Sequence, residues 1–142
     1  MADATPDPSR DGFRLTLTGA GGRIVLARAV PAGLQAGGTG WVVRRPAGAW
    51  VYKDPAGTAA GGITRLAAWV TGPAPGVLRF SLRGTSAGFR VTEDQAPVQV
   101  VVDVGRPPSG DPTPCGARAF AAPGHPHPAC TFRAGGDVLI CR

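Results

Sequence analysis

Apolar and polar positions alternate along most of this chain. In FRLTLT, Phe13, Leu15 and Leu17 share one face, with Arg14, Thr16 and Thr18 on the other. A period of two is the mark of a half-buried strand. GAGG follows as a turn, and RIVLARAV reads as a second strand. WVVRR and AWVYK flank PAG as the arms of a hairpin. DPAGTAAGG is a long loop. ITRLAAWV, rich in β-branched residues and followed by TGPAPG, reads as a strand, and VLRFSLR alternates with Leu78, Phe80 and Leu82 inward and Arg79, Ser81 and Arg83 outward. PVQVVVDV sets Val98, Val100, Val102 and Val104 on one face with Val101 on the other, the pattern of a strand covered on both sides. ARAFA is a short strand.

The last segment, CTFRAGGDVLIC, is nearly a mirror image about Gly135-Gly136. Folded there, it pairs Arg133 with Val138, Phe132 with Leu139, Thr131 with Ile140 and Cys130 with Cys141. About ten strands separated by turn signals predict an all-β, single-domain antiparallel β-sandwich or irregular β-barrel with no substantial helix. Residues 1–12 read as a flexible N-terminal segment, and 13–142 as the domain.

Composition supports this class. Among 142 residues are 22 Gly and 15 Pro, which break long helices. No apolar run reaches the length of a membrane-spanning helix. The opening MADATPDPSRDGF lacks the apolar core of an export signal, so export requires a signal this sequence does not carry.

The net charge is +6, and Lys53 is the only lysine among 15 basic residues. There is no Asn. Arg, Ala, Gly and Pro have GC-rich codons, so a GC-rich genome accounts for the bias. Along the chain the arginines stand singly, except for Arg44-Arg45. That scatter argues against a nucleic-acid partner, whose footprint needs a basic cluster or stripe with aromatics nearby.

Three cysteines, Cys115, Cys130 and Cys141, lie in the last 28 residues. Counted out from a two-residue turn, Cys130 and Cys141 face each other within disulfide range, as a hydrogen-bonded pair with the wider of the two cross-strand spacings. Cys115 is an alternative partner for either, and one thiol is always left over. A metal reading is available as well. His125, His127 and Cys130, with Cys115 as a fourth ligand, offer a donor set suited to zinc, with Pro126 and Pro128 holding the segment extended. The spacing is not that of a standard structural zinc site, and no cofactor is expected. Glu93-Asp94, the one adjacent acidic pair, sits in a turn-like TEDQAP. Trp41, Trp50, Tyr52 and Trp69 are candidates for a sugar-binding platform. Trp50 and Tyr52 are the favoured pair, two apart on one strand, with Arg44 and Arg45 nearby.

Several short patterns run together: Trp50, then Tyr52-Lys53-Asp54, Gly62-Ile63, Leu78 to Gly84, Pro97-Val98, and a tail with Cys115-Gly116, Phe120, Cys130, Phe132 and Cys141-Arg142. In these the chain resembles an uncharacterised extracellular β-domain family from secreted proteins of GC-rich Gram-negative bacteria. The resemblance implies export, a compact β domain and a characteristic three-cysteine tail. It implies no chemistry.

The expectation is a non-enzymatic extracellular structural or interaction module, secreted or periplasmic. Its partners would be other protein subunits, its own copies or different chains, in a surface assembly or filament. The alternative is a module that binds carbohydrate or an anionic cell surface through exposed aromatics and arginines.

Overall fold

The computed structural model describes residues 7–44, 48–73, 77–84, 91–104, 116–133 and 138–141. The fold is all-β. Among the described residues ten strands form three antiparallel sheets, and the one α-helix is a single turn. The strands are β1 (Phe13–Thr18), β2 (Ile24–Val30), β3 (Gly40–Arg44), β4 (Ala49–Lys53), β5 (Ile63–Thr71), β6 (Val77–Gly84), β7 (Val98–Val104), β8 (Gly116–Phe120), β9 (Cys130–Arg133) and β10 (Val138–Cys141). Both larger sheets are four-stranded and open, in the orders β2-β1-β7-β8 and β3-β4-β5-β6, and β9 and β10 pair with each other.

The chain divides into two compact units. The first holds residues 1–13, 29–87 and 104–110, and its sheet is β3-β4-β5-β6. It also contains α1 (Pro8–Asp11), in a segment expected to be loose. The helical turn forms because Pro8 presets its first position, and Asp7 accepts hydrogen bonds from the Ser9 amide (3.0 Å) and hydroxyl (2.6 Å). The Gly33 amide donates to the Ser9 carbonyl at 2.8 Å, which ties α1 to the chain before β3.

Register in this sheet is set by alternation. Trp41, Tyr52, Leu66 and Leu82 align across the four strands. Val43, Trp50, Ala68 and Phe80 form the next row on the same face. Trp41, Tyr52, Leu66 and Ala68 are at most 1% exposed, so this apolar face is the core of the unit. The Trp41 and Tyr52 rings lie 5.4 Å apart, and Phe13 meets Phe80 edge-on at 5.7 Å. The Trp41 indole N–H donates to the Pro31 carbonyl at 2.8 Å. Gly40 admits no side chain. Its φ is +123°, and a Cβ there would lie 2.9 Å from the Gln35 Cα and the Leu34 oxygen.

The loop from β4 to β5 is organised by Asp54, a buried carboxylate. It accepts hydrogen bonds from the amides of Gly57 (3.0 Å), Ala59 (2.8 Å) and Ala60 (3.3 Å). These bonds compensate for the burial of its charge.

The second unit holds residues 14–28, 88–103 and 111–142. In it β7 lies between β1 and β8, the interior position that its apolar residues on both faces require. TEDQAP contains a single 3₁₀ turn, Glu93–Gln95, closed by a reciprocal Thr92–Gln95 capping box.

The terminal hairpin has the register read from the mirror symmetry, Val138↔Arg133 through Cys141↔Cys130, and Cys130 and Cys141 are disulfide-bonded. Their spacing differs from expectation. The Cα atoms are 4.0 Å apart, the close and not the wide cross-strand distance. The reason is the direction of the Cys130 amide, which donates to the Ala121 carbonyl at 3.0 Å and points away from β10. Cys130 therefore meets Cys141 as a non-hydrogen-bonded pair, opposite in phase to the count from Gly135-Gly136. Residues 134–137 and Cys115 lie outside the described residues.

Candidate functional site

The four strands β3 to β6 contain five basic residues and no acidic one. The register puts all five on the face opposite the core. Lys53, Arg65 and Arg83 are direct cross-strand neighbours on β4, β5 and β6. Two residues along each strand, Val51, Ala67 and Ser81 form the next row, with Val42 beside Val51. Two further on, Arg44, Ala49, Trp69 and Arg79 form a third. Arg44, Arg65, Arg79 and Arg83 are exposed, and Lys53 and Trp69 are half-buried.

The arrangement is a shallow trough running across the strands. One bank carries Lys53, Arg65 and Arg83. The other carries Arg44, Trp69 and Arg79. The floor between them is the row Val42, Val51, Ala67 and Ser81; Val51 is 6% exposed, and the small, accessible part is Ala67 with Ser81 on the edge strand β6. Four residues of strand separate the banks, about 13 Å between Cα positions, and neighbouring strands stand about 4.8 Å apart. A cavity of about 370 Å³ is lined by Arg65, Ser81, Leu82 and Arg83.

Among the described residues none of the five cations has an acidic partner; the ion pair that is formed joins Arg10 to Asp11 in α1 at 2.6 Å. Like charges directly opposite on neighbouring strands oppose folding. Three in one row, without a compensating carboxylate, generate a positive field that an anion would neutralise.

The residues singled out from sequence fare unevenly. Arg44 belongs to the basic face. Arg45 lies outside the described residues. Trp50 and Tyr52 do share a face, but it is the core face: they are 5% and 1% exposed. A platform for sugar rings needs exposed ring faces, and this pair gives its faces to core packing. The reason is that this face of the sheet is turned to the core, where the Tyr52 ring packs against Trp41. Of the aromatics considered, Trp69 is the one on the polar face. The hydroxyl of Tyr52 is buried with no partner among the described residues. Burial, and secondarily the charge of Asp54, raise its pKa above the ordinary tyrosine value.

The proposed metal ligands are not brought together. Cys130 is in the disulfide, so it offers no thiolate. His125 and His127 are exposed, and their segment is turned, not extended. The Ala121 amide donates to the Pro128 carbonyl at 2.9 Å, Gly124 has a φ of +84°, and the His127–Pro128 peptide is cis. The Ala121–Pro128 hydrogen bond brings the two ends of the loop together. No group of three or more metal-binding side chains occurs among the described residues.

Arg65, Arg79 and Arg83 stand singly along the chain. The outward direction of Arg79 and Arg83 is legible in the alternation of VLRFSLR; that of Arg65, in ITRLAAWV, is not. Their alignment depends on which strand pairs with which, and on the irregularity between Ile63 and Arg65 that sets the β5–β6 register.

No family model, curated protein or solved structure matches this chain. The reading of its function rests on its own residues.

Proposed function

We propose that the protein is a non-enzymatic extracellular interaction module that holds an anionic partner against the outer face of the β3–β6 sheet. The observation that carries this reading is the basic row Lys53, Arg65, Arg83, faced by Arg44 and Arg79 with no acid on the same strands. The Cys130–Cys141 disulfide supports an oxidising compartment, hence export or the periplasm. Among the described residues no helix is long and apolar enough to cross a membrane.

A chain of net charge +6 adheres to polyanions without any site. The test therefore compares two variants of equal net charge, R65Q/R83Q on the trough and R14Q/R118Q on exposed positions of β1 and β8. Binding to dextran sulfate is followed by calorimetry at two salt concentrations. The trough variant should lose at least tenfold in affinity and the control less than threefold. Equal losses would show that net charge alone is responsible and would remove the reading.

A further inference from the structure

We infer that the anionic partner is an acidic polysaccharide, a linear polymer of pyranose rings bearing carboxylate or sulfate groups, lying in the trough across β4, β5 and β6. The inference rests on the reading that this face binds an anion.

Three observations select the ligand class. First, charge stands on both banks: Lys53, Arg65 and Arg83 on one side, Arg44 and Arg79 on the other. A polymer with anionic groups on both edges of a flat ring can meet both. A single nucleic-acid strand has phosphates along one edge and bases along the other, and calls for cations on one bank and aromatics opposite. Second, the face has a single aromatic, Trp69, set in the same row as Arg44 and Arg79 and directly opposite Arg79. One half-buried indole can receive one sugar ring. Nucleic-acid strands use several aromatics for successive bases, and here Trp41, Trp50, Tyr52 and Phe80 lie on the core face. Third, the disulfide supports an oxidising, extracellular or periplasmic setting, in which acidic polysaccharides are available as partners.

The groups on the banks suit this chemistry. Four of the five are arginines, whose planar fork pairs bidentately with carboxylate and sulfate oxygens. On the floor, Ala67 and Ser81 leave room for a ring to approach the sheet, and the Ser81 hydroxyl, exposed at the cavity, can hydrogen-bond a sugar hydroxyl.

The experiment measures affinities for four probes at one salt concentration: a polygalacturonate oligosaccharide, a dextran sulfate fragment, an oligothymidylate and polyglutamate. Each is tested against the native protein, W69A and S81D, the last placing an anion on the floor. The expected result is tighter binding of the two polysaccharides than of oligothymidylate. W69A should lose at least tenfold for both polysaccharides while polyglutamate, which has no ring, changes less than twofold. S81D should weaken the polysaccharides as well, which keeps the test open if W69A folds poorly. Tightest binding of oligothymidylate, with loss in W69A, would replace the polysaccharide by a nucleic acid. Equal binding of all four probes, weakened alike by S81D and untouched by W69A, would overturn this inference and leave the anionic-partner reading standing; binding untouched by either variant would overturn both. Absence of binding to every probe would overturn both.

Discussion

Replacing Asp54 by Ala tests the account of the β4–β5 loop. The side chain is 1% exposed and accepts three amides. Their losses are unequal. The Gly57 amide also donates to the Asp54 carbonyl at 2.9 Å, so it keeps an acceptor. The Ala59 amide, at 2.8 Å, loses a charge-assisted bond worth about 1.5–3 kcal/mol. The Ala60 amide, at 3.3 Å, is buried and left unpaired, at a cost of about 1 kcal/mol. The sum is about 3 kcal/mol. In a domain of this size that lowers the melting temperature by about 10 °C. Asn can aim its one oxygen at Ala59 and Ala60 but sets its NH2 against the Gly57 N–H, donor facing donor, so D54N should cost about 2 kcal/mol, less than D54A by the neutral bonds it keeps. Urea unfolding followed by tryptophan fluorescence gives both numbers. Proteolysis of residues 55–62 shows whether the loop opens first. If D54A costs under about 1 kcal/mol, or D54N costs as much as D54A, the hydrogen bonds do not organise this loop.

Two further predictions concern the core and the tail. The Tyr52 hydroxyl is buried without a partner among the described residues, so Y52F should be neutral or stabilising by up to about 1 kcal/mol in urea unfolding. A loss above that would reveal a hydrogen bond. The raised Tyr52 pKa also has a sign: the folded state holds the proton more tightly than the unfolded chain. The resulting stability is complete below the unfolded tyrosine value, near pH 10, and is lost as pH rises through the folded value. Y52F should flatten that alkaline decline, and an unchanged decline would assign it to other groups. The disulfide spans 11 residues of sequence, and loop closure at that length is worth about 3 kcal/mol. Since a two-stranded hairpin is marginal alone, C141S should abolish hydrogen-exchange protection in β10. Retained protection would show that other contacts hold the hairpin.

Local pattern determined much of this protein. Alternation in FRLTLT and VLRFSLR, the glycine turns and the mirror symmetry of the tail specify ten strands, because a period of two, once one face is buried, leaves each side chain a single side. The Cys130–Cys141 pairing is legible for the same reason: hairpin register is set between near neighbours in sequence. Tertiary structure decided the rest. Trp50 and Tyr52 share one face of β4, and whether that face is covered is decided by what packs over the sheet, which AWVYK alone does not show: Val51 on the other face is buried as well. The phase of the cysteine pair turned on one amide bond, from Cys130 to Ala121. The basic face is the clearest case. Arg44, Lys53, Arg65, Arg79 and Arg83 stand apart along the chain because strands and loops lie between them. They converge because hydrogen bonding between strands brings residues 12 to 18 positions apart, such as Lys53, Arg65 and Arg83, to about 5 Å in a single row.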